Sequence, residues 1–469
     1  MYLIYNLMLW LASPLLIPWL AYRALRGRLA GLGQRLGFVP RGSANGPLPY
    51  GRGSDKPCVW FHAVSLGEVK AAGVLVKELK SRVPGVRIVM TTSTRTGWEA
   101  ARRLLPPGDS VLFPPLDLPW VCRRFLRRIR PNALVVLETE LWPNLFREAK
   151  RRGIPLGVAN GRISDKAFPR YRASRFLWRQ VLALPDVLFV QTARDAERFL
   201  ALGAPPEKVR LAGNLKFAIR PASMPIVETL RAMIRASGSG PVLVAGSTMP
   251  GEEYYLLETF RELAQEFPRL WMILAPRHPE RFLPVAEEVR RMGIPLQLRS
   301  ELQGHTTPSF PGVLLLDTIG ELGDVYQLAT VAFVGGTLAP TGGHNVLEPA
   351  YFGRAIVIGP SMNNFQEIAD TFLQDMGVGQ IPGVAGVRTG AIARVQDAGS
   401  LAATLRFLFR NPEFSRRLGE AAQELVGKNA SGVSKVVGEL EKLLAGQDPS
   451  FAKNHANLAQ ANVGAGELK

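Results

Sequence analysis

The sequence is poor in cysteine and histidine, with 2 Cys and 5 His in 469 residues. Cys58 and Cys122 form no Cys-x-x-Cys pair, so a disulfide framework and a Cys/His zinc module are excluded. The Walker lysine pattern and the Gly-x-Gly-x-x-Gly dinucleotide fingerprint are also missing. An Asp-x-Asp metal motif is missing as well. These absences predict a protein of a reducing compartment without structural zinc.

Acidic residues are scarce, 39 against 57 Lys and Arg, which gives a net charge of +18. Such a surplus favours anionic partners such as nucleic acid, anionic lipid or a phosphorylated substrate. We expect no nucleic-acid partner, because no helix-turn-helix or aromatic-interleaved basic strand is visible. A predicted helix at 120–130 carries five Arg beside apolar residues, which suits an anionic membrane surface. A solvated charged face has the same pattern.

Charge is missing altogether from residues 1–22, which are predominantly apolar. About 20 apolar residues suffice to span a bilayer. Three Arg between residues 23 and 28 then place the rest of the chain in the cytoplasm. Pro14 and Pro18 disfavour a straight span, so a kinked or interfacial anchor stays open. The alternative is a buried core helix.

Short apolar runs alternate with amphipathic stretches from residue 58 onward, which predicts parallel sheets covered by helices on both faces. The predicted strands of the first half are 59–64, 86–92, 111–114, 133–137 and 156–159. The pattern restarts with strands at 241–245, 270–275, 313–316, 331–334 and 355–358. We therefore predict two Rossmann-like α/β domains facing a cleft. Their ranges are 23–215 and 216–446, between an anchor at 1–22 and a disordered polar tail at 447–469.

Two acids, Glu138 and Glu140, stand where the strand at 133–137 ends. In an open parallel sheet, ligands bind at the carboxyl ends of strands. Pro143 starts a helix soon afterwards, so the strand is not expected to continue and the two side chains need not point the same way. We expect Glu138, closer to the strand, to matter more.

A third acid, Glu68, follows the strand at 59–64 through the turn Ser65-Leu66-Gly67. In the first turn of a helix the dipole favours the ionised carboxylate, which can accept a proton as a general base. The competing interpretation is a capping box, with Ser65 as the N-cap and Glu68 three residues later.

In the second half, Ser247 and Thr248 lie between a strand and a helix whose free N–H groups could bind a phosphate. A plain N-cap explains the same residues. Arg277 and His278 follow another strand between two prolines, and both side chains suit a nucleotide phosphate or base.

Glycine pairs at 335–336 and at Gly342-Gly343 form the densest motif, because paired glycines let backbone approach a ligand closely. Asn345 is a good N-cap. Glu348, three residues later, could accept hydrogen bonds from ribose hydroxyls. A capping box is again the competing interpretation.

These motifs resemble those of bacterial 3-deoxy-D-manno-octulosonic acid (Kdo) transferases. The resemblance extends from the N-terminus to roughly residue 440 and rests on the following segments: HAVSLGE at 62–68, TTSTRTG at 91–97, ETELWPN at 138–144, GNLKF at 213–217, PRHPERF at 276–282 and GGHNVLEPA at 342–350. It implies a GT-B fold with an N-terminal acceptor-binding domain and a C-terminal CMP-Kdo-binding domain. It also implies attachment to the cytoplasmic face of the inner membrane. The implied reaction is a metal-independent, cofactor-free, inverting transfer of Kdo from CMP-Kdo to the lipid A precursor.

Carried over by motif, Glu68 corresponds to the general base, and Glu138 and Glu140 to an acidic motif with an essential carboxylate. Ser65 and Gly67 belong to the same turn. The resemblance also implies substrate-binding roles for Ser65, Gly67 and the cleft lysine Lys216, and a nucleotide-side set consisting of Ser247, Thr248, Arg277, His278, Gly342, Gly343, Asn345 and Glu348. Leu66 and Asn214 depart from the pattern without removing a titrating group.

Three other functions remain alternatives at this point. The chain could be a membrane-associated GT-B transferase that uses a UDP-sugar, or a catalytically inactive protein that binds anionic membranes. Its charge also suggests nucleic-acid binding.

Overall fold

The computed structural model describes residues 2–26, 30–40, 42–43, 46–47, 56–236, 238, 240–302, 308–374 and 376–446. The predicted tail at 447–469 lies outside them. The chain divides into two compact units. Unit 1 comprises residues 1–219 and 429–469, and unit 2 comprises residues 220–428.

Unit 1 is built on a parallel sheet, preceded by a short antiparallel pair of strands. The pair is β1 (Gly42–Ser43) and β2 (Gly46–Pro47). The sheet strands are β3 (Cys58–His62), β4 (Arg87–Thr91), β5 (Ser110–Leu112), β6 (Ala133–Leu137), β7 (Leu156–Gly161), β8 (Val187–Val190) and β9 (Val209–Leu211). Within the described residues their order is β5-β4-β3-β6-β7-β8-β9. The sequence predicted the strands from β3 to β7 at almost these positions.

Helices cover both faces of this sheet, as predicted. They are α1 (Tyr2–Leu25), α2 (Leu32–Arg35), α3 (Leu66–Arg82), α4 (Arg95–Leu104), α5 (Pro119–Ile129), α6 (Pro143–Lys150), α7 (Phe168–Ala173), α8 (Arg175–Leu182) and α9 (Ala193–Ala201). Successive residues of β3 alternate between two cores. Val59 and Phe61 pack into one core, and Cys58 and Trp60 into the other. Because a strand presents its side chains alternately, a fully apolar strand must be covered on both sides.

Unit 2 repeats this architecture. Its strands are β10 (Val242–Thr248), β11 (Trp271–Pro276), β12 (Leu296–Leu298), β13 (Gly312–Leu315), β14 (Val331–Val334), β15 (Ala355–Ile358), β16 (Arg388–Thr389) and β17 (Ala393–Arg394). The described sheet has the order β12-β13-β11-β10-β14-β15-β17-β16, and β16 is antiparallel to β17. The helices are α10 (Ile226–Ala236), α11 (Glu252–Glu266), α12 (Phe282–Arg291), α13 (Leu322–Val325), α14 (Leu347–Tyr351), α15 (Gln366–Phe372), α16 (Ala398–Arg410) and α17 (Pro412–Ala430).

The last described helix, α18 (Gly432–Ala445), belongs to unit 1. The sequence had placed residues up to 446 in the second domain. The physical reason for the difference is an apolar face, which includes Val436, Val437 and Leu440 and packs into the core formed by β3 and α3. Burying this face there stabilises the first sheet.

Helix α1 lies at the surface of unit 1. Tyr5 donates a hydrogen bond to Asp117 over 2.9 Å, and Asn6 exchanges amide hydrogen bonds with Asn144. Leu3 and Trp10 are 87% and 72% exposed, so the start of α1 is not a buried core helix. None of the helices in the described residues has the length and hydropathy needed to cross a membrane.

The basic helix predicted at 120–130 is α5. Three of its arginines have partners inside unit 1. Arg123 pairs with Glu148 at 3.2 Å, the Arg124 guanidinium lies 3.7 Å from the centre of the Phe38 ring, and Arg128 donates to a backbone carbonyl. Part of this positive charge is therefore used within the fold.

Candidate active site

The strand order of each sheet reverses beside a central strand. In unit 1 the reversal lies between β3 and β6, and in unit 2 between β10 and β14. Open α/β sheets bind ligands at the carboxyl ends of the strands that flank such a reversal. The loops after these four strands carry most of the residues that the sequence singled out.

Glu68 lies in the first turn of α3, after β3. Ser65 is the N-cap, and its hydroxyl oxygen accepts the Glu68 N–H over 3.3 Å. The Glu68 carboxylate accepts hydrogen bonds from the Ser65 hydroxyl, at 2.7 Å, and from the Val64 N–H, at 2.9 Å. The capping geometry is thus present, yet the same carboxylate also lines a pocket.

The pKa of Glu68 is raised to about 7, chiefly because burial removes water from the carboxylate. The hydrogen bonds from Ser65 and Val64 oppose this shift, and the neighbouring charges of Glu138 and Glu140 add to it. A carboxyl group with this pKa exchanges protons near neutral pH, which suits general acid–base chemistry.

Glu138 follows β6 with a φ of 54°, a left-handed backbone conformation that is uncommon outside glycine. Its carboxylate pairs with Lys216 at 3.1 Å and with Arg162 at 3.3 Å. Strained backbone of this kind persists where the surroundings over-determine it, and it clusters at functional sites.

Glu140 accepts a hydrogen bond from the Trp142 indole N–H over 2.9 Å. Burial raises its pKa, and the charge of Glu138 raises it further against the effect of that hydrogen bond. Although β6 ends at Leu137, Glu138 and Glu140 line the same pocket. The strand does not continue to Glu140, so the left-handed backbone of Glu138, and not strand alternation, brings both side chains to this pocket.

The pocket has a volume of about 210 Å³. It is lined by Glu68, Glu138, Thr139, Glu140, Arg162, Ile163, Ser164, Ala167 and Tyr171. Arg162, Ser164 and Tyr171 were not among the residues predicted from the sequence. The sequence did contain a signal for Arg162, because this residue directly follows β7, the strand next to β6. The pocket therefore combines three carboxylates with cationic and phenolic side chains.

Lys216 was predicted to begin the second domain as a cleft lysine, and the structure places it in unit 1 beside Glu138. It belongs to a 3₁₀ turn, Leu215–Ala218, whose N-cap is Asn214. The Leu215 N–H donates to Asn160 over 2.9 Å, which fixes this turn at the end of β7. Asn214, a departure from the family pattern, thus helps to place the lysine.

The predicted nucleotide residues that remain all lie in unit 2. Ser247 has a left-handed φ of 56°, and buried Thr248 donates its hydroxyl to Glu253 over 3.3 Å. Arg277 and His278 are exposed after β11. Burial is the main cause that lowers the pKa of His344 to about 4, and the positive charges of Arg277 and His278 contribute to the same shift.

In the glycine-rich loop after β14, the N–H groups of Gly342 and Gly343 are bonded within the fold. The Gly342 N–H donates to the Ser361 hydroxyl over 3.0 Å, and the Gly343 N–H donates to the Gly336 carbonyl over 2.7 Å. Both glycines have a left-handed φ. They are needed for the shape of the loop, in which a Cβ on Gly343 would lie 2.5 Å from the sulfur of Met362.

Asn345 and Glu348 lie together, with the Asn345 amide donating to the Glu348 carboxylate over 3.2 Å. The prediction of Asn345 as N-cap was wrong by one residue, because α14 begins at Leu347 and its N-cap is Val346. Asn345 nevertheless accepts the Leu347 N–H over 3.2 Å.

The start of α11 was also expected to offer free N–H groups to a phosphate. In the turn before this helix, the Met249 N–H donates to the Glu252 carboxylate over 2.9 Å, and the Glu252 N–H donates to the Met249 carbonyl over 3.0 Å. Among the described residues, no group of three or more His, Cys, Asp or Glu side chains has the geometry to hold a metal ion.

Comparison with known proteins agrees with the motifs. A family model of 3-deoxy-D-manno-octulosonic-acid transferase (kdotransferase) matches residues 30–219. The chain is 32% identical to the 3-deoxy-D-manno-octulosonic acid transferase of Haemophilus influenzae, over 94% of this chain and 98% of that protein. It is 32% identical to the enzyme of the same name from Bordetella pertussis, over 94% of this chain and 99% of that protein.

A solved structure supports the fold. UDP-GlcNAc 2-epimerase from Neisseria meningitidis bound to UDP-GlcNAc matches with a TM-score of 0.53 at 13% identity, over 82% of this chain and 100% of that chain. This likeness concerns the α/β architecture alone. The two full-length relatives decide the family: the chain belongs to the 3-deoxy-D-manno-octulosonic acid (Kdo) transferases and is a glycosyltransferase.

Proposed function

We propose that the chain transfers Kdo from CMP-Kdo to the lipid A precursor, lipid IVA, in the synthesis of the lipopolysaccharide core of a Gram-negative bacterium. The observation that carries the proposal is the pocket at the strand reversal of unit 1. It gathers Glu68, Glu138 and Glu140, with Lys216 paired to one of them. Kdo transfer follows from membership of the family, whereas the donor, the acceptor and the inverting course of the reaction are our proposal.

Glu68 is the proposed general base. An acceptor hydroxyl must lose its proton as its oxygen attacks the anomeric carbon of Kdo, and inversion follows from attack opposite the departing CMP. A base works best when its pKa is close to the working pH, and the pKa of Glu68 is about 7. Such a base typically contributes about 10²–10⁴-fold to the rate.

Glu138 is proposed to orient the cations of this pocket. With its two oxygens engaged by Lys216 and Arg162, it fixes both positive groups at the edge of the pocket. Cations held in this way suit the phosphate groups of the lipid acceptor and the carboxylate of Kdo. Correct placement of the reacting groups can contribute about 7–11 kcal/mol.

Unit 2 is the proposed CMP-Kdo-binding half of a GT-B enzyme. Arg277 and His278 are exposed and suit the cytidylate phosphate, where negative charge accumulates as the donor bond breaks. Asn345 and Glu348 suit the ribose. Because CMP is already a good leaving group, we propose that the reaction needs no metal and no further cofactor.

We also propose that residues 1–22 attach the enzyme to the cytoplasmic face of the inner membrane. Leu3, Leu7 and Trp10 present exposed apolar surface on α1, which can enter the interfacial region of a bilayer. An interfacial anchor does not require a helix that spans the membrane.

One assay tests the whole proposal. The purified protein is incubated with CMP-Kdo and lipid IVA, with EDTA in one arm, and the products are weighed by mass spectrometry. We expect the lipid mass to rise by one or more Kdo units in both arms. A UDP-sugar accepted in place of CMP-Kdo would establish the alternative transferase. No product from either donor, together with tight vesicle or DNA binding, would contradict the assignment of donor and acceptor.

A further inference from the structure

Glu252 is a carboxylate buried inside unit 2, with 1% of the residue exposed. It is surrounded by backbone N–H groups of two loops. One oxygen, Oε2, accepts hydrogen bonds from Met249 over 2.9 Å and from Gly336 over 2.6 Å. The other oxygen, Oε1, accepts from three successive residues, which are Thr337 at 2.9 Å, Leu338 at 2.8 Å and Ala339 at 3.1 Å.

Successive N–H groups that point inward form a concave anion-binding site, of the kind that often holds a phosphate. Here the protein's own carboxylate fills it. Hydrogen bonds to an ionised acceptor are roughly twice as strong as those between neutral groups. Glu252 therefore fastens the loop after β10 to the loop after β14, the two strands at the reversal of this sheet.

The fastened loops lead directly to the proposed nucleotide residues. The Gly336 carbonyl accepts the Gly343 N–H over 2.7 Å and the Thr341 hydroxyl over 3.1 Å. The position of Gly336 thus sets the course of the chain toward Asn345. On the other loop, Met249 directly follows Thr248, whose carbonyl accepts the Arg277 N–H over 2.9 Å.

We infer that Glu252 is a positioning residue of the donor site. It holds the two loops in the arrangement that binds the nucleotide, without touching the nucleotide itself. The inference rests on the proposed function, because it takes CMP as the nucleotide of the donor. An amide at this position keeps one acceptor oxygen and turns an NH₂ group toward backbone donors, so Glu252→Gln should release one edge of the loop.

The test compares Glu252→Gln with Val289→Ala in the full chain. Val289 is a fully buried residue of α12, outside the two loops, and its truncation should lower stability. CMP binding is measured by calorimetry at a temperature where melting curves show all proteins to be folded. We expect Glu252→Gln to weaken CMP binding by about tenfold or more, since small misplacements of binding groups are costly. Val289→Ala should keep the wild-type affinity.

Steady-state rates separate positioning from general damage. We expect Glu252→Gln to raise the KM for CMP-Kdo more than it lowers kcat. If Glu252→Gln does not fold, Glu252→Asp replaces it, because the shorter side chain keeps the charge and cannot reach all five donors. Wild-type CMP affinity in a folded variant would overturn the inference alone. A wild-type chain that binds no CMP would overturn the proposed function and the inference with it.

Discussion

Glu68 and Glu252 occupy corresponding places in the two units. Each lies in the first turn of the helix that follows a central strand, β3 in one sheet and β10 in the other. Both residues are nearly buried. Local sequence therefore cannot tell them apart, since either acid fits the N-terminal turn of a helix equally well.

Their hydrogen bonds differ. Glu68 accepts two from its own turn, at Val64 and Ser65, and its carboxylate still lines a pocket beside two other acids. Glu252 accepts five backbone N–H groups, most of them from a loop more than eighty residues away. Two acids at corresponding places can thus have different roles, since Glu68 faces a pocket whereas both oxygens of Glu252 are occupied by backbone donors.

The largest expected effect is at Glu68. Glu68→Gln keeps an oxygen that can accept the Val64 N–H, so the helix cap should survive while the base is lost. We expect transfer to fall by about 10²-fold or more, with the fold retained and CMP binding near wild type. The rate is measured with CMP-Kdo and lipid IVA by mass spectrometry.

The matched control for this variant is Glu99→Gln, which removes an exposed carboxylate that pairs with Arg95 on α4. It should leave the rate unchanged. Near wild-type turnover in Glu68→Gln would show that Glu68, like Glu252, serves only the structure, and the contrast between the two acids would disappear.

A smaller effect is expected at the strand-end acids. Glu138→Gln removes the charge that neutralises Lys216 and Arg162, so we expect transfer to fall by about 10- to 100-fold, in line with charge-assisted hydrogen bonds of 1.5–3 kcal/mol. Glu140→Gln can still accept the Trp142 N–H and should lose less. The two variants are compared by kcat and KM. The reverse order would assign the essential carboxylate to Glu140.

In unit 2, we expect side chains to bind the nucleotide, whereas Glu252 binds backbone N–H groups. Arg277→Ala should therefore weaken CMP binding by about tenfold, because one charge-assisted contact to phosphate is lost. Calorimetry measures the affinity. Arg290→Ala, which removes an exposed arginine near the end of α12, is the control and should bind CMP as the wild type does. Equal affinities for the two variants would remove Arg277 from the site.

Much of this site could be predicted because its signals are local. Apolar runs predicted the strands. Acids in the segments that follow them, such as Glu68 and Glu138, predicted the loops at the sheet reversal in unit 1. The Ser65 cap was also predictable, since it depends on a neighbour three residues away. The left-handed conformation of Glu138 was not, because the residue type gives no sign of it.

The rest depended on contacts between distant segments. Nothing near Glu252 in the sequence indicates that the backbone of residues 336–339 surrounds it. The return of α18 to unit 1 joins residues more than 350 positions apart, as between Arg82 and Ser434. The pairing of Lys216 with Glu138 could not be predicted for the same reason, since the two residues are remote along the chain. Patterns of apolar residues specify elements, and they do not specify which remote polar groups will meet.

The smallest expected effect is a shift in pH dependence. Because Glu68 must be deprotonated to act as a base, kcat/KM should rise with pH through about 7. The charge of Glu140 helps to raise this pKa, so Glu140→Gln should move the rising limb to lower pH. Because these acids interact, the apparent pKa of the limb belongs to the group and not to Glu68 alone. The test therefore uses the direction in which the limb moves. A limb that stays in place would show that Glu140 does not act on Glu68.

The stability of the folded protein should also depend on the protonation of Glu68. Unlike kcat/KM, it should fall as the pH rises. The pKa of Glu68 is raised from 4.5 to about 7 on folding, so the folded protein holds this proton more tightly than the unfolded chain. Its contribution to stability is complete below about pH 4.5 and is lost as the pH rises through about 7. Melting temperatures between pH 5 and 8 should therefore fall less in Glu68→Gln than in the wild type. Parallel curves would mean that Glu68 titrates near its ordinary pKa in the folded protein.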